Sequence, residues 1–117
     1  MSRNLEDVRR DLAWSREQLL QRLRRLRDDA AHRFDPLSAD AADRAQETEN
    51  DEVLQRLEQS ASALIGEYQH AIDRIDQGRY GGCEDCGLPI EAERLEAVPQ
   101  ATRCTECARA ARAARFN

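Results

Sequence analysis

Four cysteines in two C-x2-C pairs constrain the fold of this 117-residue chain more than any other feature of its sequence. Cys83 pairs with Cys86 and Cys104 with Cys107, and seventeen residues separate the pairs. Two thiolates three positions apart, on a tight turn or the first turn of a helix, converge on one edge of a tetrahedron, and a second pair completes it. The spacing therefore predicts one zinc ion, which is structural because four protein ligands leave no position open to water.

Other interpretations of these cysteines fit the sequence less well. Two disulfides would require an oxidising compartment, but the chain has no apolar run that approaches a membrane span or a signal-peptide core. We therefore expect a cytoplasmic protein, in which thiols stay reduced and bind metal. A thioredoxin-like redox role would need a βαβ pattern around one pair, and neither pair has one.

The remainder of the chain has the periodicity of two long helices. The first is predicted from Asn4 to about Arg33, with Asn4 and Asp7 resembling a capping pair at its start. The second is predicted from about Ala41 to Gln77, and Gly78 ends it. Each helix carries one narrow apolar stripe of the kind that a coiled-coil partner covers. The stripes are Leu5, Val8, Leu12, Leu19, Leu23, Leu26 and Ala30, then Leu54, Leu57, Ala61, Leu64, Tyr68, Ala71 and Ile75, with Ile65 and Ile72 beside the second.

These stripes predict a mainly α fold built on a long antiparallel helical hairpin, or coiled coil. Phe34-Asp35-Pro36 breaks the helical pattern, and neither stripe can be buried alone, so the two helices should fold back on each other. The hairpin would occupy residues 1–77 with its acidic tip at about 35–45. Residues 78–117 would form the zinc finger and a short C-terminal helix. We expect a monomer.

Charge is distributed unevenly along the chain. The net charge is −5, and an acidic middle lies between two basic ends. The basic residues are all arginines, and Arg109, Arg112 and Arg115 follow at intervals of three in the predicted C-terminal helix from Thr102 to Arg115. Those arginines are equally consistent with a solvated surface and with a binding role. The overall acidity argues against a surface devoted to nucleic acid.

The segment from Gly78 to Ile90, Arg94-Leu95-Glu96-Ala97-Val98-Pro99 and the second cysteine pair together resemble the DksA/TraR zinc-finger family. Asp40-x-x-Asp43-x-Ala45 is similar to the motif at the coiled-coil tip of DksA proper. The similarity covers about residues 34–115, and two motifs together are more specific than either alone.

The resemblance implies a bacterial regulator that binds RNA polymerase without sequence-specific DNA contacts. In that family the coiled coil enters the secondary channel, and acidic residues at the tip alter the stability of promoter open complexes near the active site. By position, Asp40, Asp43 and Ala45 would have this role. Considered apart from the resemblance, Asp40 and Asp43 would be explained by helix capping.

One departure from the family concerns the alarmone guanosine tetraphosphate. DksA proper binds it jointly with the polymerase through basic residues on its second helix. Here Ser60, Ala63 and Glu67 occupy the expected cationic positions. A carboxylate at Glu67 would oppose an anionic ligand, so binding of this alarmone is doubtful.

Three other functional classes fit the sequence less well. A zinc-stabilised coiled-coil adaptor for a different protein is the main alternative. A direct nucleic-acid binder that uses the C-terminal arginines is weaker, because the chain is acidic. An enzyme is less expected still, because the sequence has no nucleophile constellation or phosphate loop, and His32 and His70 lie on separate predicted helices.

Overall fold

The computed structural model describes the backbone of residues 4–33 and 41–115 and the side chains of residues 4–30 and 51–114. Four helices lie in these ranges: α1 (Leu5–Arg33), α2 (Ala41–Asp76), α3 (Ala92–Ala97) and α4 (Thr105–Arg115). An isolated antiparallel bridge joins Gly82 to Pro89. The predicted mainly helical fold is confirmed, although α3 was not predicted.

The chain forms two compact units, and both long helices contribute to each. The zinc-bearing unit contains Met1–Ser15 and Gly66–Asn117, and the helical unit contains Arg16–Ile65. The division of the sequence between residues 77 and 78 stays a prediction.

Asn4 caps α1 as the sequence indicated. Its side-chain Oδ1 accepts a hydrogen bond from the backbone N–H of Glu6 at 3.0 Å, and its carbonyl accepts the N–H of Val8 at 3.1 Å. The side chain thus satisfies one of the N–H groups that a helix leaves unpaired at its start. Glu6 and Asp7 place negative charge in the same turn, where the helix dipole favours it.

The core of the zinc-bearing unit lies between α1 and α2. Val8 and Leu12 from α1 pack with Ala71 and Ile72 from α2, and all four are buried. Ala71 is fully buried, and so small a side chain lets two helices approach closely. Burial of Leu12 and Ile72 contributes about 1.5–3 kcal/mol each to the free energy of unfolding.

Not every residue of the predicted stripes faces inward. Leu5 is 48% exposed and Leu57 is 47% exposed, whereas Leu12 and Leu23 are buried. Leu5 lies in the first turn of α1. Heptad spacing alone does not show which side of a stripe receives the partner helix, and contacts with the other helix decide this.

Interhelical ion pairs confirm the antiparallel order of α1 and α2. Within the zinc-bearing unit, Arg9 pairs with Asp76 through Nε–Oδ1 at 2.8 Å and a second hydrogen bond at 3.1 Å. Within the helical unit, the Nε of Arg27 lies 3.4 Å from Oε1 of Glu58. A later residue of α1 thus meets an earlier residue of α2, which is the order of an antiparallel hairpin.

Gly78 ends α2 with a positive φ of 73°. Its N–H donates to the carbonyl of Ile75 at 3.0 Å, and the N–H of Arg79 donates to the carbonyl of Arg74 at 2.8 Å. These two hydrogen bonds define a Schellman motif, which requires a left-handed residue that glycine adopts at little cost. The predicted helix stop is confirmed, one residue earlier than expected.

In the part of the chain that the structure describes, no helix combines the length and the apolar character needed to cross a membrane.

Candidate metal centre

The four cysteine sulfurs lie together in the zinc-bearing unit. All four Sγ atoms are within 4.8 Å of one another, and those of Cys86 and Cys104 are 3.9 Å apart. A tetrahedral zinc ion with Zn–S bonds of about 2.3 Å would place its sulfurs about 3.8 Å apart. The cluster therefore fits a zinc ion with only small adjustments, and four sulfurs make it a closed, structural site.

The first cysteine pair is held by a tight turn. The N–H of Gly87 donates to the carbonyl of Cys83 at 3.0 Å, and the N–H of Cys83 donates to the carbonyl of Leu88 at 2.8 Å. Gly87 has a φ of 77°, which supplies the positive φ expected directly after Cys86. The turn therefore brings both sulfurs of this pair to one side of the backbone.

The second pair lies at the start of α4. The helix begins at Thr105, so Cys104 and not Thr102 occupies the N-cap position, which corrects the predicted start. The carbonyl of Cys104 accepts the N–H of Ala108 at 2.9 Å, and its Sγ accepts the N–H of Cys107 at 3.5 Å. The first turn of the helix thus directs both sulfurs toward the metal position.

One hydrogen bond joins the two cysteine segments directly, and a second joins α3 to the segment before Cys104. The N–H of Glu84 donates to the carbonyl of Thr102 at 2.9 Å, and Nε of Arg94 donates to the carbonyl of Arg103 at 2.9 Å. Ile90 and the half-buried Leu95 pack against the cysteines and supply the apolar side of this small core. These contacts bring the pairs together although seventeen residues separate them in sequence.

The backbone favours an ionised sulfur at Cys83. Desolvation acts to raise the pKa of the Cys83 thiol, but hydrogen bonds from the backbone at Cys104, Cys86 and Asp85 outweigh it and lower the pKa to about 6. Hydrogen bonding to the sulfurs of Cys104 and Cys83 instead raises the pKa of the Cys107 thiol. Four adjacent thiolates therefore need a bound cation, and metal affinity must fall as pH decreases.

A charged network surrounds the first cysteine pair. Arg103 pairs with Glu84 at 2.9 Å and with Asp85 at 2.7 Å, and His70 of α2 contacts the other oxygen of Glu84. Arg103 neutralises these neighbouring carboxylates. The contact of His70 with Glu84 had no sequence signal, because fourteen residues separate the two in the chain.

Arg74 and Tyr80 connect the cysteine module to α2 and its core. The guanidinium of Arg74 donates to the carbonyls of Arg79 at 3.2 Å and Gly82 at 2.9 Å. Tyr80 packs against the α1–α2 core, and its hydroxyl donates to the carbonyl of Pro99 at 2.9 Å. Both side chains satisfy polar backbone groups of the loops, so the module is attached by specific contacts.

The predicted tip residues Asp40, Asp43 and Ala45 lie outside the side chains that the structure describes. Asp40 lies outside the described residues. Asp43 and Ala45 lie within α2, but their side chains are outside the described set. Their assignment as tip residues stays a prediction.

Long helices and a four-cysteine site define a C4-type zinc-finger protein, and known proteins share both features. The profile described as "Prokaryotic dksA/traR C4-type zinc finger" matches residues 78–112. The structure of transcription factor DksA2 from Pseudomonas aeruginosa superposes with a TM-score of 0.78 and 26% identity, over 97% of this chain and 86% of that one. The solution structure of DnaK suppressor protein from Agrobacterium tumefaciens has a TM-score of 0.62 and 34% identity, over 94% of this chain and 96% of that one.

Curated relatives agree with the structural match. The RNA polymerase-binding transcription factor DksA of Caulobacter vibrioides is 39% identical over 94 residues, which are 78% of this chain and 63% of that protein. The Escherichia coli protein of the same name is 32% identical over 79 residues, 68% of this chain and 49% of that protein. The chain thus spans less than two thirds of the length of these relatives.

The chain belongs to the DksA/TraR family of zinc-finger proteins, and its four cysteines bind one structural zinc ion.

Proposed function

We propose that this protein is a transcription regulator that binds RNA polymerase and acts without catalysing a reaction. One observation carries the proposal: a DksA structure matches nearly the whole chain, including both long helices and the cysteine module. Relatives that carry the name of RNA polymerase-binding transcription factor support the partner. A regulator bound to the polymerase would act in the cytoplasm, and we expect it to act as a monomer.

The finer mechanism is also a proposal. The hairpin would enter the secondary channel of the polymerase, and Asp40 and Asp43 would alter open-complex stability near the active site. Carboxylates at that position would act on a Mg²⁺-dependent site that is filled with nucleic acid, where fixed negative charge has a large effect. The small side chain of Ala45 would avoid a steric clash.

Dependence on guanosine tetraphosphate should be weak. Ser60, Ala63 and Glu67 lie on the exposed surface of α2 and offer no positive charge to an anionic ligand. Glu67 would repel it. We therefore expect the regulator to act with little help from this alarmone.

The decisive experiment combines binding to purified bacterial RNA polymerase with open-complex lifetimes. Asp40→Asn with Asp43→Asn should keep polymerase affinity and lose the effect on the lifetime, since the change removes charge and little volume. Asp51→Asn with Glu52→Gln is the matched control, because it removes the same charge further along α2 and should leave the lifetime effect intact.

If the double tip variant shortens or lengthens open complexes as the unmodified protein does, the tip mechanism is wrong. If the unmodified protein does not bind the polymerase, the proposed partner is wrong. The adaptor function would then be favoured.

A further inference from the structure

The side chain of Arg103 reaches from one cysteine segment to the other. Arg103 lies directly before Cys104 in the chain, and Glu84 and Asp85 are the two residues inside the first C-x2-C pair. The Nη2 of Arg103 is 2.9 Å from Oε1 of Glu84, and its Nε donates to Oδ2 of Asp85 at 2.7 Å. One guanidinium therefore binds both intervening residues of the first pair from the segment that leads into the second.

Both ends of this link are held by neighbouring helices. His70 of α2 contacts Oε2 of Glu84, so each oxygen of that carboxylate has a partner. The carbonyl of Arg103 accepts a hydrogen bond from Nε of Arg94, in α3, at 2.9 Å. The Glu84 side chain is only 18% exposed, and its charge is therefore less screened than one on the open surface. The link thus joins two segments that are already positioned by the fold.

The geometry of the link gives it more effect than a simple surface ion pair. Arg103 and Asp85 are both half-exposed, and single pairs of that kind contribute little to stability. A guanidinium that binds two carboxylates at once is different, because its planar fork fixes the direction of each contact. We expect its effect where two segments must stay close together, which is the situation of the two cysteine pairs.

Loss of zinc from four sulfurs requires the two cysteine pairs to separate. While one pair is detached the ion remains on the other, and any tether that keeps the detached pair nearby favours its return. Cys86 is the exposed sulfur ligand, whereas Cys83 and Cys104 are buried, so a competing chelator has access at Cys86. Asp85, to which Arg103 binds, lies directly before Cys86. The link therefore limits movement of the most accessible ligand.

We propose that Arg103 is a positioning residue for the zinc ion, which holds the two cysteine pairs together through Glu84 and Asp85 and thereby slows release of the metal. This role belongs to the zinc centre and does not depend on the partner in transcription. It gives the two carboxylates a part in keeping the zinc, although their negative charge by itself would disfavour the neighbouring thiolates.

The rate of zinc release from the full-length, zinc-loaded protein tests this role. An excess of the colorimetric chelator pyridylazoresorcinol at pH 7 reports the rate. Arg103→Gln should release zinc at least about tenfold faster, as is typical when a residue that positions metal ligands is removed. Arg10→Gln is the matched control, because Arg10 also pairs with two carboxylates, Asp7 and Asp11, but all three lie on α1. The control should change the rate by less than about twofold.

A second variant separates a link from an effect of charge alone. Asp85→Asn should speed release by at least about threefold, and combining it with Arg103→Gln should give no acceleration beyond that of Arg103→Gln, since both changes break the same contact. If charge alone mattered, Asp85→Asn would slow release, because it removes a carboxylate beside the thiolates.

The proposal is overturned by an unchanged rate in Arg103→Gln, by slower or unchanged release in Asp85→Asn, or by additive acceleration in the double variant. Circular dichroism and metal analysis before chelation establish that each variant is folded with one zinc per chain. Should Arg103→Gln fail to fold, the milder Asp85→Asn decides the question by the direction of its effect.

Discussion

The sulfur of Cys104 is a zinc ligand, and it also caps the start of a helix. Cys104 occupies the N-cap position of α4, and its Sγ accepts the N–H of Cys107. The C-x2-C spacing therefore does two things here, because it forms half of a metal site and starts a helix. Glu91 also has two structural roles, because its backbone lies directly before α3 and its side chain caps α4.

Glu91 provides a prediction with a defined pH dependence. Its Oε2 accepts the N–H of Thr105 at 3.3 Å. A hydrogen bond from its own backbone, followed by those at Thr105, lowers the pKa of the Glu91 carboxyl against the effect of desolvation. A depressed folded-state pKa adds stability above the unfolded value, near 4.5, and that stability is lost as pH falls through the folded value.

Glu91→Gln should therefore lower Tm by the same few degrees at pH 6, 7 and 8, as measured by thermal unfolding of the zinc-loaded protein. Glu93→Gln, on the adjacent α3 helix, is the control and should have little effect. A Tm difference that disappeared between pH 6 and pH 8 would show that the ionised carboxylate does not cap α4.

At the scale of elements, α2 has one glycine inside it, Gly66, and one just beyond its end, Gly78. Gly66 lies inside the helix, is exposed, and a Cβ added there would meet nothing within 4 Å. Gly78 also has free space around it, but its φ is 73°. Packing is therefore equal at the two sites, and only the backbone conformation differs.

Alanine at these two positions should shift stability in opposite directions. Gly66→Ala should raise the free energy of unfolding by about 0.5–1 kcal/mol, because alanine loses less backbone entropy in a helix. Gly78→Ala should lower it by about 1–2 kcal/mol, because a left-handed backbone strains an L residue. Urea unfolding of both variants measures the difference, and a shift of the same sign in both would contradict this account of how α2 ends.

At the scale of the whole molecule, the described residues form two separate buried clusters that stabilise the fold. Val8, Leu12, Ala71 and Ile72 form one between the long helices, and Cys83, Ile90 and Cys104 form the other around the metal position. The chain is rich in charged residues and poor in large apolar side chains. A bound metal therefore supplies stability that its small apolar core cannot. Only the second cluster depends on zinc directly.

Zinc removal should therefore unfold part of the molecule. A strong chelator at neutral pH should release one zinc per chain and reduce the helical circular dichroism signal by about a fifth. That fraction follows from the lengths of α3 and α4, 6 and 11 residues, against 29 and 36 for α1 and α2. Metal analysis and the signal at 222 nm measure the two quantities.

The complementary variant is Leu12→Ala. It should lower the free energy of unfolding by about 2–5 kcal/mol and leave one zinc per folded chain, because Leu12 belongs to the other cluster. Loss of nearly all helical signal after chelation would mean that zinc also holds α1 and α2 together.

Much of the fold and all four zinc ligands could be predicted from local patterns. The caps at Asn4 and Gly78 were predictable because each depends on a few neighbouring residues. The inward face of each helix was less predictable, as exposed Leu5 and Leu57 demonstrate. The pairing of His70 with Glu84 had no sequence signal, because it depends on how two distant segments pack.

By itself, the sequence determined the types of the long helices, their approximate ends and the chemistry of the metal site, since periodicity, capping residues and cysteine spacing act over a few residues. The tertiary structure decided which leucines are buried, that Cys104 lies directly before the first residue of α4, and that His70 meets Glu84. Those outcomes depend on contacts between residues far apart in the chain, and such contacts form only when helices and loops pack against one another.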